Sequence, residues 1–126
     1  MVYAHDGSAA EFDKLGDVHG KIVVVDFMSD WWWMNLPGSE AALRGAKGIV
    51  LTYSPADPAY YGVAGALCSF DATYDLSFVP MVYVSWADGD WLKAQLGADP
   101  SLTATIKSDV RISMADNGGV GYNVVG

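Results

Sequence analysis

Runs of consecutive hydrophobic residues alternate along this chain with segments that read as helices. Val23 to Val25 stand in succession within residues 20–27, which predicts a strand covered on both faces. Residues 49–53 and 79–85 are two further runs of the same kind, and Ala41 to Gly48 have the glycine-terminated ending that is common in helices. Strands separated by helices are typical of an α/β fold, so we expect a sheet flanked by helices.

Polar residues mark where two of the helices begin. Ser8 and Glu11 have the spacing of a capping box, in which the serine oxygen accepts the amide hydrogen of Glu11. Ser85 is a second N-cap, because Asp88 follows it in the first helical turn, where an acid is favoured. This helix is expected to end at Gly97. Beyond it, alternating apolar and polar residues predict half-buried strands at residues 102–106 and 110–114.

Two aromatic segments fall between the predicted elements. Trp31, Trp32 and Trp33 follow the first buried strand, and Tyr60 and Tyr61 lie in a long stretch, residues 54–78, without periodicity. A loop of that length in a compact domain is usually functional or packed against a partner.

The three tryptophans allow two interpretations. Each ring can bury about 150–250 Å², so three exposed rings would exceed the apolar patch of an ordinary monomer. In an extended segment Trp31 and Trp33 face one way and Trp32 the other, so one face can join the core. We favour a contact surface for at least one ring, with Tyr60 and Tyr61 as candidate neighbours on it.

Composition excludes several classes of protein. The 126 residues are enough for one domain with one core, and no apolar run approaches the roughly 20 residues that span a bilayer. Seven basic residues stand against fifteen acidic ones, for a net charge of −8, and the basic residues form no stripe, which argues against nucleic-acid binding. Cys68 is the single cysteine, so no disulfide can form within the chain and the compartment stays open.

Candidate catalytic and metal-binding residues are few. His5 and His19 are the two histidines, and neither stands in a zinc-ligand motif. The acids at residues 71–75 and 88–90 are too few for a dedicated calcium loop. No Gly-x-Ser-x-Gly motif occurs, and Gly118 to Gly121 precede a strand-like run instead of the helix that a phosphate loop requires. We therefore expect no catalytic residue, no metal ligand and no cofactor in this chain.

Three stretches follow one another along the chain: Asp17-Val-His-Gly-Lys-Ile-Val-Val-Val, Leu43-Arg-Gly-Ala-Lys-Gly-Ile-Val and Val79-Pro-Met-Val-Tyr-Val-Ser. With these stretches in this order, the chain resembles the protease-associated (PA) domain. The resemblance implies one non-catalytic domain over residues 1–126, taken from a longer chain. It also implies a swivelling β/β/α fold, in which a curved mixed β-sheet or open barrel is flanked by two or three helices.

The first residues and the last resemble the joints of a particular host. Residues 2–8 are similar to the lead-in of PA domains inserted in M28-family zinc aminopeptidases, and residues 120–126 to the exit strand toward the peptidase domain. The resemblance implies zinc in that peptidase domain, contact with it in cis or with a peptide or protein substrate, and a secreted or cell-envelope location. The alternatives are a peptide- or carbohydrate-binding module and a PA insert of a subtilisin-like serine protease.

Overall fold

The structure is a computed structural model and describes residues 1–27, 35–53 and 79–107. The described strands are β1 (Val2–Tyr3), β2 (Ile22–Phe27), β3 (Gly48–Tyr53) and β4 (Met81–Tyr83), and the helices are α1 (Ala9–Leu15), α2 (Asn35–Leu43) and α3 (Trp86–Ala98). The two aromatic segments lie outside the described residues, as does the predicted exit strand at residues 120–126.

The four strands form one sheet in the order β1-β2-β3-β4, and each neighbouring pair is parallel. A parallel pair needs a crossover connection, and α1 and α2 lie in the connections on either side of β2. Val24 lies opposite Tyr3 on one side and Val50 on the other. The predicted α/β fold class, with a sheet flanked by helices, is confirmed.

The sheet carries a core on each face. Val23 and Val25 are fully buried on the face covered by α1 and α2, in a cluster that includes Phe12 and Ala41. Val24 points to the other face, where it clusters with Leu96 of α3. Successive side chains of a strand point to opposite faces, so three consecutive buried valines require cover on both sides. The prediction of a two-faced strand is confirmed.

Both predicted helix caps form. The Ser8 side chain accepts a hydrogen bond from the Glu11 amide at 3.4 Å. Ser85 Oγ accepts from the Asp88 amide at 3.1 Å and donates to Asp88 Oδ2 at 2.6 Å, which closes the turn from both directions. Helix α3 continues to Ala98, one residue beyond the predicted end.

The turn after β1 packs tightly against the rest of the domain. Gly7 has a φ of +66°, a backbone conformation that is energetically unfavourable for any residue that has a Cβ. A Cβ at this position would lie 2.8 Å from a methyl carbon of Val25 and 2.9 Å from Cβ of Pro37. Glycine is therefore required here both by the backbone conformation and by the close approach to β2 and α2.

The strand predicted at residues 102–106 was wrong. These residues lie in neither a strand nor a helix, although Leu102 and Ile106 do pack against the α3 side of the core. Only the two ends of the alternating run are partly buried, because Ala104 between them is exposed. A strand also needs a hydrogen-bonded neighbour, and none of the described strands pairs with this segment. The other predicted strand, residues 110–114, lies outside the described residues.

Candidate functional site

The carboxyl ends of the strands bring polar residues together on the α3 face of the sheet. Tyr3 ends β1, and Asp26 and Thr52 lie opposite each other near the ends of β2 and β3. Ligands of parallel α/β sheets commonly bind outside this edge, because the connecting loops diverge there. We therefore expect a site of this domain at the carboxyl edge of the sheet.

Tyr3, Asp26, Asp90 and Lys93 form a connected network, which we call the Asp26 network. The Tyr3 hydroxyl donates to Asp26 Oδ2 at 2.5 Å, and Lys93 Nζ donates to Asp26 Oδ1 at 2.9 Å. Lys93 Nζ also lies 2.9 Å from Oδ1 of Asp90, the residue one helical turn before Lys93 in α3. The ammonium lies 5.6 Å from the centre of the Tyr3 ring, within the range of a cation–π contact. The network thus joins α3 to the ends of β1 and β2.

Burial and the neighbouring carboxylate keep Tyr3 protonated. Burial raises the pKa of the Tyr3 hydroxyl well above its usual value near 10, and the hydrogen bond to Asp26 raises it further. Both effects disfavour the phenolate. Tyr3 therefore acts as a hydrogen-bond donor at neutral pH and does not serve as a base.

Opposing effects act on Lys93, and the ionised form is favoured. Burial by itself lowers the pKa of the Lys93 ammonium, but the hydrogen bonds to Asp90 and Asp26 outweigh it, and the net pKa is raised. The Lys93 side chain is 15% exposed and that of Asp26 is 13% exposed, so this ion pair is much less hydrated than one on the surface. A neutral amine, which a nucleophilic or basic lysine requires, is disfavoured here.

Helix α3 approaches β3 closely beside the network. Gly89 faces Thr52, and a Cβ on Gly89 would lie 1.7 Å from Thr52 Oγ1. The Thr52 hydroxyl is buried and has no hydrogen-bond partner among the described residues, and the same is true of the indole Nε1 of Trp86. The contact leaves no room for a ligand at Thr52, so we interpret this part of the edge as a packing surface.

The described residues do not provide a zinc site. Over residues 1–27, 35–53 and 79–107, no group of three or more His, Cys, Asp or Glu side chains could hold a metal ion. The His5 ring packs on Tyr3 with 4.4 Å between centroids, and Asp26 and Asp90 are bound to Lys93. A zinc ion needs several such groups converging on one point, and this donor set does not converge.

The candidate contact residues predicted from the sequence, Trp31, Trp32, Trp33, Tyr60 and Tyr61, lie outside the described residues. The structure does describe the strands that come before them. Residue 28 follows β2 and residue 54 follows β3, and the last residues of these strands, Phe27 and Tyr53, lie opposite each other in the parallel sheet. Both aromatic segments therefore leave the sheet at its carboxyl edge, next to the Asp26 network.

Sequence reasoning missed the Asp26 network altogether. Tyr3 and Asp26 are separated by 23 residues, and Asp26 and Lys93 by 67. One signal was available, since Asp26 is an acid within the otherwise apolar run of β2. A charged residue near the end of a buried strand implies a partner, and lysines are few in this chain.

The fold and this edge define a class of protein. The chain forms a small α/β domain with a parallel sheet, and the Asp26 network joins the strand ends of that sheet to α3. A comparison with protein families matches the PA domain over residues 1–92, and the chain belongs to that family, whose members are non-catalytic inserts. The resemblance stated from the sequence is confirmed.

A solved structure shares the fold. The chain is similar to an aminopeptidase from Aneurinibacillus sp. strain AM-1, with 26% sequence identity and a TM-score of 0.60. The match covers 78% of this chain and 21% of the aminopeptidase, so the chain corresponds to about a fifth of that protein. No curated protein sequence matches the chain. Among the described residues, no helix is long and apolar enough to cross a membrane.

Proposed function

We propose that this chain is the PA domain of an M28-family zinc aminopeptidase, secreted or attached to the cell envelope. The similarity to an aminopeptidase supports this proposal, because the matched region is a minor part of a larger enzyme. The zinc then lies in the peptidase domain, outside these 126 residues. A PA domain of this kind contributes by position, through substrate access or contact with the peptidase domain.

Within this proposal, the contact surface consists of Trp31, Trp32, Trp33, Tyr60 and Tyr61. Their chain connections support it, because both aromatic segments start from neighbouring strand ends. Loops that follow a rigid sheet are well placed to present side chains, and large aromatics are the residues from which interface hot spots are commonly made. The Asp26 network would hold the strand ends and α3 in fixed relation.

The host is tested with the full-length protein and with the isolated domain. We expect the full-length protein to release the first residue of a peptide, to lose this activity with a chelator and to regain it with zinc. The isolated domain should show none. Chelator-resistant cleavage that a serine-directed inhibitor blocks would instead indicate a subtilisin-like host. Retained turnover by the isolated domain would contradict a non-catalytic role.

The contact surface is tested by three alanine variants at Trp31, Trp32 and Trp33 in the full-length enzyme. At least one variant should keep the melting temperature of the isolated domain while changing kcat/KM for long peptides more than for an aminoacyl-anilide. The small substrate serves as the internal control, because it reports on the zinc site alone. If all three variants lower domain stability and none alters the ratio of the two activities, the rings belong to the core and the contact proposal fails.

A further inference from the structure

A second candidate site lies at the opposite edge of the sheet, where the strands begin. A cleft of about 510 Å³ opens there between the start of β2, the segment before β4 and residues 103–106. This volume is within the range of roughly 300–1,000 Å³ of ligand sites. Its apolar lining includes Ile22, Pro80 and Ile106, and Lys21 and Lys47 supply the charge.

The charges around this cleft differ from those elsewhere in the described structure. Three basic side chains pair with carboxylates: Lys14 with Glu11, Arg44 with Asp13 and Glu40, and Lys93 with Asp26 and Asp90. The other described ones pair with no described carboxylate, and these are Lys21, Lys47 and Lys107.

These three lysines, which pair with no carboxylate in the described part of the chain, are at or next to the cleft. Lys21 and Lys47 line it, and Lys107 directly follows Ile106. The Lys21 ammonium donates to the backbone oxygen of Asp17 at 2.8 Å, and the Asp17 side chain accepts from the His19 amide. In a chain of net charge −8, an edge with unpaired cations is a local reversal of sign. Such an edge attracts anionic groups.

Residues 103–105 present backbone N–H and C=O groups to the cleft. Thr103, Ala104 and Thr105 are exposed and line the cleft, outside any helix or strand. Within the described residues, their N–H and C=O groups form no backbone hydrogen bond. A polypeptide segment can satisfy such groups with its own backbone while its side chains reach the facing surface. An inorganic anion would leave the C=O groups and the apolar lining without a partner.

We propose that this cleft binds a polypeptide segment that carries carboxylates, with Lys21 and Lys47 contacting the carboxylates and residues 103–106 contacting the backbone. The charge reversal selects an acidic segment over a neutral or basic one. It also disfavours a second copy of the chain, because two molecules of net charge −8 repel each other. The site lies at the opposite end of the strands from the Asp26 network and does not depend on the aromatic contact surface.

Three hexapeptide probes of one design test the proposal, with valine at alternate positions and Glu, Gln or Lys between them, both ends blocked. Binding to the 126-residue chain is followed by ¹H–¹⁵N NMR. The Glu peptide should bind and shift the amide signals of residues 21, 47 and 103–106. A phosphate titration should give no saturable shift of residues 103–106.

Charge variants provide the matched comparison. Lys21→Gln and Lys47→Gln should each weaken binding of the Glu peptide about threefold, since exposed ion pairs contribute modestly, and the double variant should weaken it more than either single variant. Lys14→Gln removes the same charge from α1, outside the cleft, and should leave the affinity unchanged. Equal binding of the three peptides, equal loss in the Lys14 variant, or shifts confined to other residues would overturn the proposal.

Discussion

Replacing Gly89 with alanine is expected to destabilise the domain, although alanine is the better helix former. The new methyl group would lie 1.7 Å from Thr52 Oγ1, 2.5 Å from Thr52 Cβ and 3.1 Å from Thr52 Cγ2. Carbon atoms in contact prefer about 3.5–4.0 Å. Rotating the threonine moves Oγ1 and Cγ2 but leaves Cβ in place, so α3 or β3 must shift.

The magnitude follows from two opposing effects. Overpacking of a core costs about 1–3 kcal/mol, and the fixed Cβ contact places Gly89→Ala at the upper end of that range. The gain from alanine in a helix offsets about 1 kcal/mol. We expect a net loss of about 2 kcal/mol in the free energy of unfolding, or roughly 6–10 °C in melting temperature for a domain of this size.

The same helix offers a matched control. A Cβ at Gly97 would meet nothing within 4 Å, so Gly97→Ala should raise stability by up to about 1 kcal/mol. Thr52→Ala removes two of the three clashing atoms, and adding it to Gly89→Ala should recover part of the loss. Urea and thermal unfolding followed by circular dichroism measure all four variants. An unchanged or higher melting temperature for Gly89→Ala would refute the close contact between α3 and β3.

The remaining predictions concern the Asp26 network and the core. Tyr3→Phe should cost about 1–2 kcal/mol at pH 7. Because the pKa of Tyr3 is raised on folding, the stabilisation is complete below the unfolded pKa near 10 and declines above it. The difference in unfolding free energy between wild type and variant, measured by urea unfolding at several pH values, should therefore shrink above pH 10. Lys93→Met should lower the unfolding free energy by about 2–3 kcal/mol, because it removes the ammonium that pairs with two carboxylates. Lys14→Met is the control: the Lys14 side chain is 69% exposed, so its loss should change the unfolding free energy by less than about 0.5 kcal/mol. Val24→Asp places a charge at a fully buried position and should abolish the cooperative thermal transition; an unaltered melting curve would contradict the two-faced sheet.

Most of the fold could be predicted from local patterns in the sequence. Hydrophobic runs and helix caps depend on a few neighbouring residues, so the strand at Val23 to Val25 and the caps at Ser8 and Ser85 could be predicted from sequence. The Asp26 network could not, because it joins three elements whose order in space follows from the topology. Gly89 shows the same limit, since a glycine inside a helix suggests weakness until its contact with Thr52 is seen.

The contact surface remains a prediction. Sequence places Trp31 to Trp33 after β2, and the sheet register adds that their segment leaves β2 beside the segment that follows β3. Which rings contact a partner depends on side-chain positions outside the described residues. The cleft at the opposite edge had no sequence signal at all, because Lys21, Lys47 and Thr105 meet only when β2, β3 and the segment after α3 are assembled.

The order of the strands has a consequence for synthesis of the protein. Each strand pairs with the one made just before it, so the sheet can grow in the direction of translation. Its two faces are completed at different times. Helices α1 and α2 are made before β3, whereas α3, which packs on Val24 and Val50, ends about 45 residues after it. At about 5–20 residues per second, Leu96 follows the end of β3 by roughly 2–9 seconds, an interval in which a chaperone could bind those valines.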